Sequence, residues 1–540
     1  MKPKRRQIFK CIIGVLSFSI IIFGFKVTDI RFHSNGDTVH IKEQIYYAAC
    51  APITFKPELK QQKKEGPAYP RLAMWWPDSW NQNLSELIRY DYIGWGDWEN
   101  ENTLENLKQL NQDQLHFISI NLTEVGWDDW AEKPIMDQIP AEWFLTQVGS
   151  YLSEDIDATQ SDISVYETES IFGDPLFEPE DTIVCGSETM KVIAVDHNEQ
   201  TLIVLRGFIR SAVAHSAGER IAAHITFWPE TWIMNLSGLC PKVDIGNGPE
   251  QWIDWALRNA LDVDQMDGVI IDRISGNESK LIGAHARNID PDCTNLLIDD
   301  GYLEFDSSWS ANVELLLIQI RNLLNGKPLI ANSYGAYTQL LNGAIYESVP
   351  GNWSESVPEY YSDWDRHVLG PNGYISASTA GYSPNYSLIE TYEIDEDYFT
   401  TNPMDDPTFE PNYQRMRFGM TTSLLGDGYF SYEIGTNGHG SLGLMWFDEY
   451  DNAGQGRGYL GYPISETFGI VDFGSNGKVF RRDFENGIVI CNPSDSVANV
   501  ILEDEYWLIK GVQDPSVNTG ESTSTVLLAP KDGRILLRQH

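Results

Sequence analysis

Residues 267–274 read DGVIIDRI. Val269, Ile270 and Ile271 are three β-branched residues in a row, and an aspartate bounds them on each side. A run this short, β-branched and continuously apolar reads as a strand buried on both faces, as in a parallel sheet. Polar residues of such a strand are pushed to its two ends. If the sheet closes into a barrel, catalytic groups sit at the C-terminal ends and stabilising ones at the starts. Asp267 then belongs at the bottom, as a cap or ion-pair partner, and Asp272 at the top.

The same texture recurs on both sides. RLAMWW (71–76), YDYIGWG (90–96), LHFISINL (115–122), PLIANSY (328–334), GAIYES (343–348), GYISAST (373–379) and DGYFSYE (427–433) are further short apolar runs. Between several of them lie TLENLKQLN (103–111), PEQWIDWALRNAL (249–261), SANVELLLIQIRNLLN (310–325) and YQRMRFGMTTSLL (413–425). These place apolar residues at the i, i+3, i+4, i+7 spacing of a helix. Alternating strands and helices call for a parallel sheet, and eight strands close a (β/α)8 barrel. The fold expected is α/β, with the barrel over residues 68–470.

One interval, residues 123–266, is far longer than a helix connection needs. Its centre (181–223) alternates apolar and polar residues and turns at HNEQ (197–200). That predicts a small antiparallel β unit over about 160–225 inserted in a barrel loop, either a rigid spacer or part of a cleft wall. From about residue 475 the helix signals stop. Short runs separated by Asn-Gly, Asn-Pro, Asp-Pro and Lys-Asp-Gly turns predict a C-terminal β-sandwich over 475–540.

The N-terminus differs from all of this. Lys2, Lys4, Arg5, Arg6 and Lys10 precede CIIGVLSFSIIIFGF (11–25). Basic residues before an apolar run of that length predict a signal peptide or membrane anchor over 1–27, with the rest of the chain extracytoplasmic. Residues 28–67, Lys-rich at their end, read as a linker.

Composition narrows the function. Among 540 residues, 38 Lys and Arg face 78 Asp and Glu, a formal net charge of −40. So acidic a surface repels phosphate backbones and anionic lipid, so nucleic acid is not an expected partner. Contact with a membrane is expected only through an uncleaved N-terminal segment. The 17 Trp, 25 Tyr and 22 Phe suit stacking on flat neutral faces, and a carbohydrate polymer is the expected partner. The cysteines form no C-x-x-C pair, and the sequence has no G-x-S-x-G, P-loop or H-E-x-x-H motif. Asp448, Glu449 and Asp451 cluster without the spacing of a calcium loop. No metal and no cofactor is expected.

Strand ends supply the candidate site. Asp272, Glu347 and Glu433 close three strands and converge on the top face. Hydrolysis of a glycosidic bond needs two carboxyl groups, one to protonate the leaving oxygen and one to attack or stabilise the anomeric carbon. Substrate-binding candidates at the same end are Trp75, Trp76, Trp95, Asn332, Tyr334, His439, Trp446 and Asp448, offering indole faces and hydrogen-bonding groups to sugar rings. Trp75 reads equally as barrel filling, and Arg273 as a structural ion-pair partner.

DGVIIDR, NSYGAYTQLLNGAIYES (332–348), GDGYFSYE (426–433) and WFDEYD (446–451) together resemble hypothetical glycosyl hydrolase family fifteen. The C-terminal FENGIVICNPSDS is similar to the β-domain that follows such barrels. The β insert resembles a module of phage structural proteins. The resemblance implies a glycoside hydrolase-like barrel over about 68–540. By analogy with α-galactosidase-like barrels, it also implies a nucleophile at Asp272 and an acid at Glu347, where those relatives carry Asp. Two functions follow as expectations. The first is an exported glycoside hydrolase, retaining in mechanism. The second is a non-catalytic extracellular protein that binds glycan or joins a surface assembly.

Overall fold

The computed structural model describes residues 65–77, 84–96, 101–127, 136, 138–259, 265–283, 286–297, 301–333, 335–347, 349, 364–393, 408–434, 444–464, 469–472 and 478–539. Eight parallel strands form one sheet in sequence order. They are β1 (Ala73–Trp75), β2 (Tyr92–Trp95), β3 (Leu115–Asn121), β4 (Gly268–Asp272), β5 (Leu329–Asn332), β6 (Ala344–Tyr346), β7 (Leu388–Glu393) and β8 (Tyr429–Ile434). A parallel bridge between Leu72 and Phe430 joins the last strand to the first. Followed strand by strand from Ala73 and back through that bridge, the register returns to β1 at position 65, eight residues earlier. Eight strands with a shear of eight make a closed (β/α)8 barrel.

Side chains alternate between the two faces of each strand. Ala73, Trp75, Tyr92, Phe117, Ile270, Ile330, Ile345, Leu388 and Tyr429 pack together inside the barrel. Met74, Ile93, Ile118, Val269, Ile271, Leu329, Ala344, Ile389 and Phe430 face outward, into the core shared with the helices. Leu303–Leu323, the longest helix among the described residues, buries Phe305, Trp309, Val313, Leu316, Leu317 and Ile320 in that core. These residues recur every three or four positions, as an amphipathic helix requires.

One strand differs from expectation. Residues 373–379 form a helix, Tyr374–Thr379, burying Tyr374, Ala377 and Ser378 at i, i+3 and i+4. The seventh strand is LIETYE, Leu388–Glu393, buried at every position. Short apolar runs suit a strand and a buried helical turn equally, and only packing separates them.

Between β3 and β4, Ser150–Tyr151, Arg220–Ala223, Thr182–Cys185, Glu188–Asp196, Thr201–Leu205 and Asp162–Ser164 form a six-stranded antiparallel sheet, in that spatial order. It has its own core around Leu152, Ile163, Ile183, Met190, Leu202 and Ile221. After the barrel, six antiparallel strands between Gly469 and Leu537 enclose a second small core around Val479, Ile490, Val500 and Leu528. This sandwich-like unit docks on helix Tyr413–Leu424, where Arg417 pairs with Asp514 at 2.6 Å and Asp532 at 3.1 Å. Cys185, Cys240, Cys293 and Cys491 are free thiols. Among the described residues no helix is long and apolar enough to cross a membrane. The apolar run 11–25 lies outside them.

Candidate active site

A shear of eight advances one residue per strand, so residues at equal height are found by stepping one residue beyond the register partner at each strand. The register links Asp272 on β4, through Asn332 and Ile345, to Leu388 and Tyr429. Two strands on, the inward position level with Asp272 is Glu347, just after β6. Four strands on it is Glu433 on β8, and two strands back it is Gly96, just after β2. The top layer of the barrel is thus Gly96, Asp272, Glu347 and Glu433. The layer beneath is Trp75, Ser119, Asn332 and Glu390. Below these the filling turns apolar, with Ile270 and Ile345, then Ala73, Phe117, Ile330 and Leu388. No inward position of the eight strands is Lys or Arg.

Two of these acids accept from neutral donors. Asn332 Nδ2 donates to Asp272 Oδ1 at 3.0 Å, and Asn121 Nδ2 donates to Oδ2 at 3.5 Å. Asn121 is fixed in turn by accepting from the Thr123 and Glu124 amides. Two amide donors favour the ionised form of a carboxyl. Asn332 Oδ1 is buried and has no hydrogen-bond partner among the described residues. Glu433 Oε1 accepts from Ser431 at 2.8 Å. Tyr392, one turn of the pleat above Glu390 on the same face of the strand, is buried, and burial together with Glu390, Glu347 and Glu433 keeps this phenol protonated far above its usual range. Asp272, Glu347 and Glu433 are therefore brought to one rim, with Glu390 and Tyr392 beside them.

Behind Asp272 the chain is braced. Arg273 takes a left-handed backbone, φ 52°, and its guanidinium pairs with Glu124 and Glu278, each at 2.7 Å. Its role is structural. Burial pushes Glu124 up to about 7, with Arg273 opposing and the Asp272 charge adding to the rise.

The aromatic candidates separate. Trp76 lies half-buried at the rim, its indole where a Cβ on Gly96 would sit, so any larger residue there must displace the indole. Trp75 is buried inside the barrel and fills it. Trp95 is no sugar ligand: it faces outward, buried, and its Nε1 donates to His116 Nδ1 at 3.2 Å. Burial lowers His116 to about 4 and so keeps it a neutral acceptor. Trp446 lies at the opposite end of the barrel, packed on Tyr90 with the Arg89 guanidinium 3.4 Å over its ring. Asp448 accepts the Val512 and Gln513 amides, both at 2.7 Å, and so ties the C-terminal unit down. Register and chain connection, invisible in a strand-end count, decided these corrections. Tyr334 and His439 lie outside the described residues.

Sequence reasoning missed Glu390 and Tyr392, because LIETYE carries too many polar residues to look buried. Their signal was the alternation: Leu388, Glu390 and Tyr392 share one face. Glu393, on the other face, accepts from Tyr432 at 2.6 Å and the Asn412 amide at 2.7 Å, a structural use. A cavity of about 990 Å³ lies at the barrel floor, lined by Arg71, Asp91, Tyr382, Asp427 and Arg457.

Residues 213–488, which contain all four inward acids, match the family described as hypothetical glycosyl hydrolase family 15. The chain belongs to this family. It is a glycoside hydrolase by family, and the match runs from the insert through β8 into the first strands of the C-terminal unit. Among solved structures, the chain is similar to the glycoside hydrolase domain of PelA from Pseudomonas aeruginosa, at 14% identity and TM-score 0.36, covering 70% of this chain and 98% of that one. It is also similar to an Anoxybacillus α-amylase, at 10% identity and TM-score 0.35, covering 85% and 89%. The isomaltulose synthase SmuA from Protaminobacter rubrum gives 9% identity and TM-score 0.41, covering 87% and 99%. No curated protein matches the chain.

Proposed function

We propose that the barrel mouth hydrolyses a glycosidic bond in a polysaccharide outside the cell, with retention of anomeric configuration. The observation that supports this most is the top layer itself, where the register sets Asp272, Glu347 and Glu433 at one height around one opening. In this reading Asp272 is the nucleophile. The two amides that donate to it favour its charged form, and one of its oxygens bonds the anomeric carbon as the leaving oxygen departs. Glu347 gives that oxygen its proton and then takes one from the water that releases the sugar from Asp272, restoring both groups. For this step Glu347 must carry a proton when substrate binds, and Glu433 on the same layer is the alternative donor. Asn332 Oδ1 is placed to accept from a sugar hydroxyl, and Trp76 offers a ring at the rim. The basic segment before the apolar run 11–25 supports export.

A panel of polysaccharides incubated with the purified chain tests the reading, with the anomer of the first product followed by NMR. Retained configuration in a product that Asp272→Asn does not form is the expected result. Inverted configuration would overturn the retaining step. Glycan binding without turnover on any substrate would favour the non-catalytic surface protein instead.

A further inference from the structure

In the inserted sheet, well outside the acidic layers, three side chains with metal-ligating atoms converge. Cys185 ends the strand Thr182–Cys185 and pairs with Ile221 on the neighbouring strand. Glu219 immediately precedes that neighbouring strand, and His215 lies four residues before Glu219. The sulfur of Cys185, an imidazole nitrogen of His215 and a carboxylate oxygen of Glu219 all lie within 4.8 Å of one another. His215 Nδ1 is 2.9 Å from Glu219 Oε2, and Cys185 Sγ is 4.0 Å from the same oxygen.

We propose that Cys185, His215 and Glu219 form a binding site for a divalent transition-metal ion, zinc by the chemistry of its donors. One thiolate, one imidazole and one carboxylate make a borderline-soft set that suits zinc and disfavours calcium or magnesium, which take oxygen alone. Three protein ligands leave a fourth tetrahedral position for water.

The surroundings are arranged as a ligand's supports would be. His215 Nε2 is hydrogen-bonded to Glu188 Oε2 at 3.0 Å. Glu188 is itself clamped by both arms of Arg206 at 2.8 Å and by the Gly207 and Val213 amides at 3.0 and 3.1 Å. A carboxylate on the far ring nitrogen is the usual brace of a metal-bound histidine, and it leaves Nδ1 as the ligating atom. Glu219 Oε1 accepts the Ser216 amide at 2.8 Å, which turns Oε2 towards His215 and Cys185. The side chains of His215 and Glu188 are buried, while that of Glu219 is 40% exposed and gives an ion its way in.

A nucleophilic role for Cys185 fits less well. Burial, with Glu219 and Glu188 nearby, pushes this thiol up to about 12, the opposite of what an activated cysteine needs. Metal binding resolves that cost: the ion replaces the thiol proton, which leaves to solvent, and the sulfur becomes a ligand. The ion would then tie the end of one strand to the loop that leads into its neighbour.

The test uses the full chain, stripped of metal with a chelator and titrated with cobalt(II) alone. Expected is a near-ultraviolet thiolate-to-cobalt charge-transfer band that saturates at one cobalt per chain and is bleached when zinc displaces it. The band disappears in Cys185→Ser and persists in Cys293→Ser. Glu219→Gln, at a partly exposed position and so tolerated by the fold, weakens cobalt affinity by at least tenfold. Absence of the band, its survival in Cys185→Ser, its loss in Cys293→Ser, or unchanged affinity in Glu219→Gln would each overturn the proposal. If Cys185→Ser does not fold, the Glu219→Gln titration decides alone. No band at all would mean that His215 only bridges Glu188 and Glu219.

Discussion

The two ends of the barrel treat their acids differently. At the floor, Asp427 pairs with the buried Arg482, Asp91 pairs with Arg457 at 2.5 Å, and Asp267 accepts the His116 amide at 2.8 Å. At the mouth, Asp272 accepts from two amides and Glu433 from a hydroxyl. Guanidinium partners fix a carboxylate permanently and contribute to stability. Neutral donors position a carboxylate without cancelling its charge. A cavity of about 990 Å³ lies at the floor, among these Arg-matched acids.

The largest expected effect probes the mouth. Asp272→Asn should lower kcat by roughly 10⁴-fold or more while thermal unfolding stays close to that of the parent. Near-normal kcat would remove the contrast between the two ends and make Glu433 the next nucleophile to test.

Glu347→Gln comes next. It should cost ~10²–10⁴-fold on natural glycosides and far less on substrates with an acidic leaving group, which need little protonation. An equal loss on both kinds of substrate would move the acid role to Glu390 or Glu433.

At the floor the same carboxyl-to-amide change should act on stability instead. Asp427→Asn leaves the guanidinium of Arg482 buried without its charged partner, a loss of about 3 kcal/mol in denaturant unfolding, with kcat per folded molecule unchanged. A fall in kcat without loss of stability would show that the floor takes part in the chemistry.

Glu124 gives a smaller effect, legible in pH. Burial raises its pKa from the ordinary 4.5 to about 7, so between those values the folded chain holds a proton that the unfolded chain has lost. Stability from this group is present below about pH 4.5 and falls as pH rises towards 7, by at most about 3 kcal/mol. Glu124→Gln should flatten that slope in denaturant midpoints measured from pH 5 to 7.5, and an unchanged slope would refute the assignment. The smallest expected effect is at the rim. Gly96→Ala should displace the Trp76 indole and raise KM several-fold with little change in kcat, whereas unchanged KM would remove Trp76 from the site.

Much of this was legible beforehand because a buried parallel strand cannot hide its composition. DGVIIDRI could hardly be anything but a central strand, and its two aspartates had to lie at opposite ends. The placement of Asp272, Glu347 and Glu433 on one rim follows from strand ends alone. Less legible was any residue whose role depends on which face it takes. Trp95 ends a strand as Trp75 does, but neighbouring positions point to opposite sides, so one faces the helices and the other the barrel interior. LIETYE gives no buried-strand signal, since isolated glutamates are usually exposed, and the seven residues of GYISAST are too few to reveal a period.

The sequence by itself determined the alternation of strands and helices, the acidic balance and the strand-end carboxyls, because backbone periodicity and burial act locally. Only the tertiary structure decided that Glu390 joins the acids of the mouth, that Trp446 and Asp448 serve elsewhere, and that Cys185 meets His215 and Glu219. Register, shear and strand pairing bring together positions tens to hundreds of residues apart, and no local pattern of the chain encodes that distance.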